Sequence, residues 1–104
     1  MSGKKIQVLN YFLNDSRRRV SGAEIARDLE IKSGTLYPLL ATLEREGILE
    51  SEWEEVVPSE VGRPRRRLYR FTPHGQQFAF SEVSRFLGVK NSEKGFALFG
   101  RLAE

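Results

Sequence analysis

The sequence of 104 residues has no cysteine, a single histidine, a single tryptophan and a single methionine. Without cysteine there is no disulfide framework, no thiolate nucleophile and no thiolate metal site, a pattern that suits a reducing cytoplasm. His74, in "TPHG", has neither a second histidine nor clustered carboxylates near it, so no metal site is expected. The sequence also lacks a P-loop, a G-x-G-x-x-G fingerprint and a nucleophile elbow, and its serines, aspartates and histidine have no spacing that argues for a triad. These absences count against an enzyme and against a bound cofactor. Long apolar runs are missing too: none approaches the roughly 20 residues of a membrane helix. The opening "MSGKKIQVLNYFLND" has two lysines but no apolar stretch or small-residue cleavage site of a signal peptide. A cytoplasmic location without a membrane partner is the expectation.

What is present is a globular composition, 30% charged and 39% hydrophobic, in a chain of single-domain size. A chain this short buries a modest core and often completes it against a second subunit. The net charge of +3 points weakly to an anionic partner; its distribution says more.

Helical periodicity marks Lys4–Asn14, with Ile6, Leu9, Phe12 and Leu13 in step. Val8 and Tyr11 widen that arc beyond what one small core needs, which suggests contact with another chain. Ser21 and Glu24 have capping-box spacing and open a second helix of about three turns, with Ile25, Ala26 and Leu29 inward. A third helix runs from an N-cap at Ser33 to about Glu46, with Leu36, Leu39, Leu40 and Leu43 on one face and Pro38 near its first turn. Gly47 suits the left-handed position that follows. Ile48–Val57 alternates as a half-exposed strand, "PSEVGRPR" reads as loop, and Arg67–Phe71 is the return strand. Thr72 then Pro73 gives cap and first position of a fourth helix to about Leu87, stopped by Gly88. Phe96, Phe99 and Leu102 hint at a last short helix that two glycines weaken. Three helices, a hairpin and a helix make an α+β, mainly α fold: a winged helix-turn-helix, residues 1–72, followed by a C-terminal dimerisation helix and tail, residues 73–104.

The hairpin divides its charge sharply. Glu50, Glu52, Glu54, Glu55 and Glu60 precede Gly62; Arg63, Arg65, Arg66, Arg67 and Arg70 follow it. Cross-strand pairing accounts for Arg67 or Arg70. Arg63, Arg65 and Arg66 lie at the tip, where guanidinium groups suit phosphate or a narrow minor groove. Arg17, Arg18 and Arg19 precede the second helix, at the end that approaches a DNA backbone. Lys32, Ser33, Thr35, Tyr37, Pro38 and Thr42 form the exposed side of the third helix, the expected reader of bases. Tyr37 is as well explained by packing as by phosphate contact, and Trp53, on the Leu49 face, is expected to pack. In the fourth helix Ala79, Phe80, Val83, Phe86 and Leu87 share one arc while Phe78 lies nearly opposite. The expected dimer contacts are therefore Val8, Tyr11, Phe12, Phe78, Phe86 and Phe99.

"SGTLYPLLATLEREGILESEWEE" followed by "GRPRRRLYRFTPHGQ" resembles the PadR family of transcriptional regulators, and "SGAEIARDL" matches its preceding helix. The resemblance spans roughly residues 5–87. It implies a dimeric winged-helix repressor on a palindromic operator in double-stranded DNA, one recognition helix per half-site, with the wing on the flanking backbone or minor groove. It implies dimerisation through the first and C-terminal helices and, for some members, a small flat aromatic effector at the dimer interface. The short tail departs from members with a large effector pocket. The rival reading is a winged-helix module for protein–protein interaction, its arginines meeting an acidic protein; a footprint on duplex DNA separates the two.

Overall fold

The computed structural model describes residues 3–15 and 18–88. The elements run α1 (Gly3–Asn14), β1 (Val20–Ser21), α2 (Gly22–Leu29), α3 (Ser33–Arg45), β2 (Leu49–Trp53), α4 (Pro58–Val61), β3 (Arg67–Phe71) and α5 (Pro73–Phe86). The fold is a winged helix: helices α1, α2 and α3 against a three-stranded antiparallel sheet ordered β1-β3-β2, with α5 packed along α1. The expected tail helix around Phe96–Leu102 lies outside the described residues.

One core joins every layer. Leu9, Ile25, Leu36, Leu40, Leu43, Leu49, Ala79 and Val83 are fully buried, and the Phe12 and Phe71 rings meet at 5.4 Å between centroids. The wide apolar arc of α1 is satisfied inside the chain. Ile6, Val8, Leu9, Phe12 and Leu13 are all buried, because α1 packs on α5 along one side and α2 on another. Two neighbouring helices demand a wider stripe than one.

Local chemistry sets the boundaries. The Ser21 hydroxyl accepts from the Glu24 amide at 3.1 Å, half of a capping box; the Glu24 carboxylate turns instead to Arg18 at 2.7 Å. Helix α2 is shorter than its pattern suggests. It stops at Glu30, held in the left-handed region at φ 54, while the Ile31 amide donates back to the Ala26 carbonyl at 3.1 Å and buries Ile31. Helix α3 begins one residue earlier than a Ser33 cap would place it: Lys32 is the cap and makes no side-chain bond, so Ser33 is the first helical residue. Pro38 accordingly lies inside α3, where it cannot donate to the Gly34 carbonyl; that turn is exposed. Gly47 takes the left-handed position at φ 75, and Gly88 does the same at φ 73 after α5.

Three further expectations are corrected. β2 covers only Leu49–Trp53, its register pairing Leu49 with Phe71 and Trp53 with Arg67. The "loop" of the wing contains α4, a single turn stopped by Gly62 at φ 72. Trp53 does not pack into the core. The core ends under Ser51, so the next inward position overhangs it, and the Trp53 ring is capped by the Arg67 guanidinium, 5.1 Å from its centroid.

Candidate nucleic-acid interface

Helix α3 is held by its leucines, which leave Lys32, Ser33, Gly34, Thr35, Tyr37 and Pro38 exposed at its leading end. The helix has no side-chain cap; the Thr35 and Leu36 amides donate to the Lys32 carbonyl at 2.9 Å, which leaves the Ser33 and Gly34 amides and the positive end of the helix dipole open to an anion. Tyr37 also spaces α3 from α2. A Cβ at Gly22 would lie 2.6 Å from its ring, so a larger residue there would push the exposed Tyr37 ring aside. Thr42 is half-buried; its hydroxyl donates back to the Pro38 carbonyl at 3.0 Å and accepts from Arg45 at 3.3 Å.

The basic residues separate into two groups. Arg18 is paired with Glu24, Arg19 with Glu52, Arg27 with Asp28, Arg70 with Glu50 and Arg85 with Glu82. Arg63 forks onto Glu54 with bonds of 2.6 and 3.0 Å. Lys32, Arg65 and Arg66 have no carboxylate partner among the described residues. Arg65 donates from Nε to the Val56 carbonyl at 3.0 Å, which aims rather than neutralises it. The backbone amide of Arg66 donates to Glu54 at 3.2 Å and leaves its side chain exposed. Arg45, at the end of α3, has only the Thr42 hydroxyl, and Lys4 on α1 has no carboxylate partner among the described residues either. Uncompensated positive charge therefore stands at both ends of α3 and on the return arm of the wing, with Lys4 apart from them.

Arg63 holds the Glu54 carboxyl at about 2, far below the usual carboxylate range, with the Arg66 amide assisting against desolvation. Glu54 in turn raises the Arg63 guanidinium further. The Arg19 contact lowers Glu52. These bonds make the wing a stapled arm. A second set joins the wing to α3: the Ser51 hydroxyl donates to Glu44 at 2.7 Å, Arg67 Nε donates to Ser51 at 2.9 Å, and the Arg67 guanidinium covers Trp53. Glu44 is on α3, so helix and wing share one polar bridge.

The expected dimer contacts fall in different places. Val8 and Phe12 are buried within the chain's own core and offer no surface, which corrects their assignment. Tyr11 is half-buried and its hydroxyl donates to Asp28 at 2.7 Å; burial first and that bond second push its pKa up to about 12. Phe78 is half-buried at the edge of the core, and Phe86 is exposed, as is Leu87 beyond it. The stripe of Ala79 and Val83 runs off the end of the core there. Phe99 and Arg17 lie outside the described residues.

Residues 18–80 match the Transcriptional regulator PadR-like family. The chain belongs to that family. Among solved structures, this PadR-like protein resembles a PadR family transcriptional regulator from Eggerthella lenta at 25% identity and TM-score 0.66, over 83% of this chain and 73% of that one. It resembles a PadR-like transcriptional regulator from Bacillus cereus at 22% identity and TM-score 0.63, over 82% and 81% of the two chains. The S. aureus MepR–DNA complex shares the fold at 18% identity and TM-score 0.67, over 98% and 77%. No curated protein sequence matches the chain. Among the described residues of this PadR-like protein no helix is long and apolar enough to cross a membrane, and no His, Cys, Asp or Glu cluster could hold a metal ion.

Sequence reasoning missed the joint between α5 and the rest. The Thr72 hydroxyl accepts from the Gly75 amide at 2.8 Å and donates to the Gly47 carbonyl at 2.6 Å, tying the start of α5 to the end of α3. Gly75 lies so close to β2 that a Cβ would fall 1.8 Å from the Ile48 carbonyl oxygen. The T-x-x-G spacing carried the signal, but its tertiary partner is distant in sequence.

Proposed function

We propose that the protein is a sequence-specific DNA-binding repressor that grips a palindromic operator as a homodimer. The observation that carries this reading is the selective neutralisation of its bases. Most arginines are paired internally, while Lys32 and Arg45 on α3 and Arg65 and Arg66 on the wing lack a carboxylate partner among the described residues, and these are the two elements that a winged helix presents to a duplex; Lys4 on α1 is the other base without one. α3 enters the major groove with Thr35 and Pro38 leading, where thymine methyls and base edges lie. Ser33 and Tyr37 flank that entry, and Thr42 meets the groove one turn on. Arg65 and Arg66 take flanking phosphate or the minor groove, with Arg63 as their brace. Arg18 and Arg19 sit at the edge of the backbone footprint.

The dimer forms through the apolar end of α5, where Phe86 and Leu87 are exposed beside half-buried Phe78, with Tyr11 of α1 at the margin. The effector expectation rests on the family resemblance, and no cavity of the described protomer is assigned to it. Selection of bound duplexes from a random library tests the reading. Enrichment of a two-fold symmetric site with half-sites about one helical turn apart is expected; enrichment of single, asymmetric sites, or of none, overturns it.

A further inference from the structure

The wing has a second face whose chemistry does not suit DNA. Trp53, Val57 and Val61 are 57%, 49% and 42% exposed, and they make up half of the large apolar residues exposed among those described. All three line one open groove of about 480 Å³. Glu55 and Glu60 stand on its walls with no cationic partner among the described residues, and Arg65 closes its basic side. The display is built. The Gly62 amide donates to the Pro58 carbonyl at 2.9 Å to close α4, and Arg65 holds the Val56 carbonyl from the other arm. The valines therefore project from a hydrogen-bonded turn and do not fold back over the tryptophan.

Apolar surface gathered at one place marks an interaction site, and an exposed tryptophan at its centre is the usual anchor of one. Phosphates brought here would meet two uncompensated carboxylates. Cationic side chains would complete them, while an apolar strip filled the groove between. We propose that this face of the wing docks a short basic, apolar peptide segment of a partner protein. The inference shares Arg65 with the DNA reading and uses neither α3 nor the guanidinium of Arg66.

Trp53 is the sole tryptophan, so its emission reports the groove directly. The probe is a synthetic amphipathic peptide of leucine and lysine, with a leucine–glutamate peptide as control. The lysine peptide should shift Trp53 emission to the blue along a saturable curve, and the glutamate peptide should not. The double substitution Glu55→Lys with Glu60→Lys should weaken the lysine peptide about tenfold, and Glu55→Gln with Glu60→Gln by less. Both variants should melt like the parent and bind duplex DNA at least as tightly. A peptide titration unchanged by the charge reversal overturns the proposal. So does a loss of DNA binding in the glutamine variant, which would give this face to the duplex. A concentration-dependent blue shift of the protein alone, abolished by Val61→Asp, would assign the groove to a second copy and overturn it as well.

Discussion

Replacing Gly75 by alanine sets two effects of opposite sign against each other. Alanine is the better helix former by about 1 kcal/mol, so propensity alone forecasts a stabilised α5. The structure forecasts the reverse. The new Cβ would sit 1.8 Å from the Ile48 carbonyl oxygen, a backbone atom of the residue just before β2. Helix and strand must separate by about an ångström, which is overpacking at the severe end, about 3 kcal/mol. The separation also pulls Thr72 away from Gly47 and endangers its cap on the Gly75 amide, about 1 kcal/mol more. The clash wins by about 3 kcal/mol net. For a domain of this size that lowers the melting temperature by roughly 15 °C. Gly34→Ala is the matched control: a Cβ there meets nothing within 4 Å, so the same substitution should be neutral or stabilising by up to about 1 kcal/mol. Thermal melts followed by circular dichroism measure both. A Gly75→Ala protein that melts at or above the parent would show that α5 does not seat on the Ile48 carbonyl, and the reasoning from the Thr72 joint would fail with it.

Other outcomes follow from the same geometry. Alanine at Lys32, Arg65 and Arg66 should flatten the dependence of log K on log salt by about 0.9 for each phosphate no longer neutralised, as read by fluorescence anisotropy on duplex DNA; an unchanged slope removes these residues from the interface. Glu30→Gly should raise stability by about 1 kcal/mol in urea unfolding, because it relieves a non-glycine residue held at φ 54. Glu54 has a folded pKa below its ordinary 4.5, so its contribution is fully present above pH 4.5 and is lost as pH falls toward 2. Amide exchange in the wing, corrected for the intrinsic pH dependence of exchange, should accelerate over that window in the parent and be already fast, and flat with pH, in Glu54→Gln. Phe86→Glu should shift sedimentation from dimer to helical monomer and cut operator binding more than nonspecific binding; a variant that stays dimeric moves the interface elsewhere.

Much of the fold is legible because its signals are local. The Ser21 and Thr72 caps, the stop at Gly47 and the leucine stripe of α3 each lie within a few residues of what they control. The misreadings have a common cause, since each depended on a distant neighbour. β1 is two residues long and exists only because Val20 and Ser21 find Tyr69 and Leu68 on β3. α2 ends where Ile31 drops into the core, not at a glycine. The width of the α1 stripe is real, but periodicity cannot say whether the second neighbour is α5 or another chain. Alternation put Trp53 on the inward face and could not say where inward ceased to be covered.

The interface itself turns on a distinction that composition hides. Arg63, Arg65 and Arg66 look equivalent in "GRPRRR", yet the structure separates them by what each can reach. Helix α4 and Gly62 bring Arg63 back over Glu54, and the two close a fork; Arg65 and Arg66, past Pro64, find only a carbonyl and open solvent. The alternating glutamates of β2 and the residues just beyond it then take one base each from different parts of the chain: Glu50 takes Arg70, Glu52 takes Arg19 and Glu54 takes Arg63. Such pairs at the surface contribute little stability singly. Their larger effect is to cancel charge where it would spread over the sheet. What survives cancellation includes Lys32 and Arg45 on α3 and Arg65 and Arg66 on the return arm of the wing, with Lys4 on α1. A duplex docked on α3 and the wing meets positive charge on each and neutralised surface between them, so orientation on the backbone is set before any base is read.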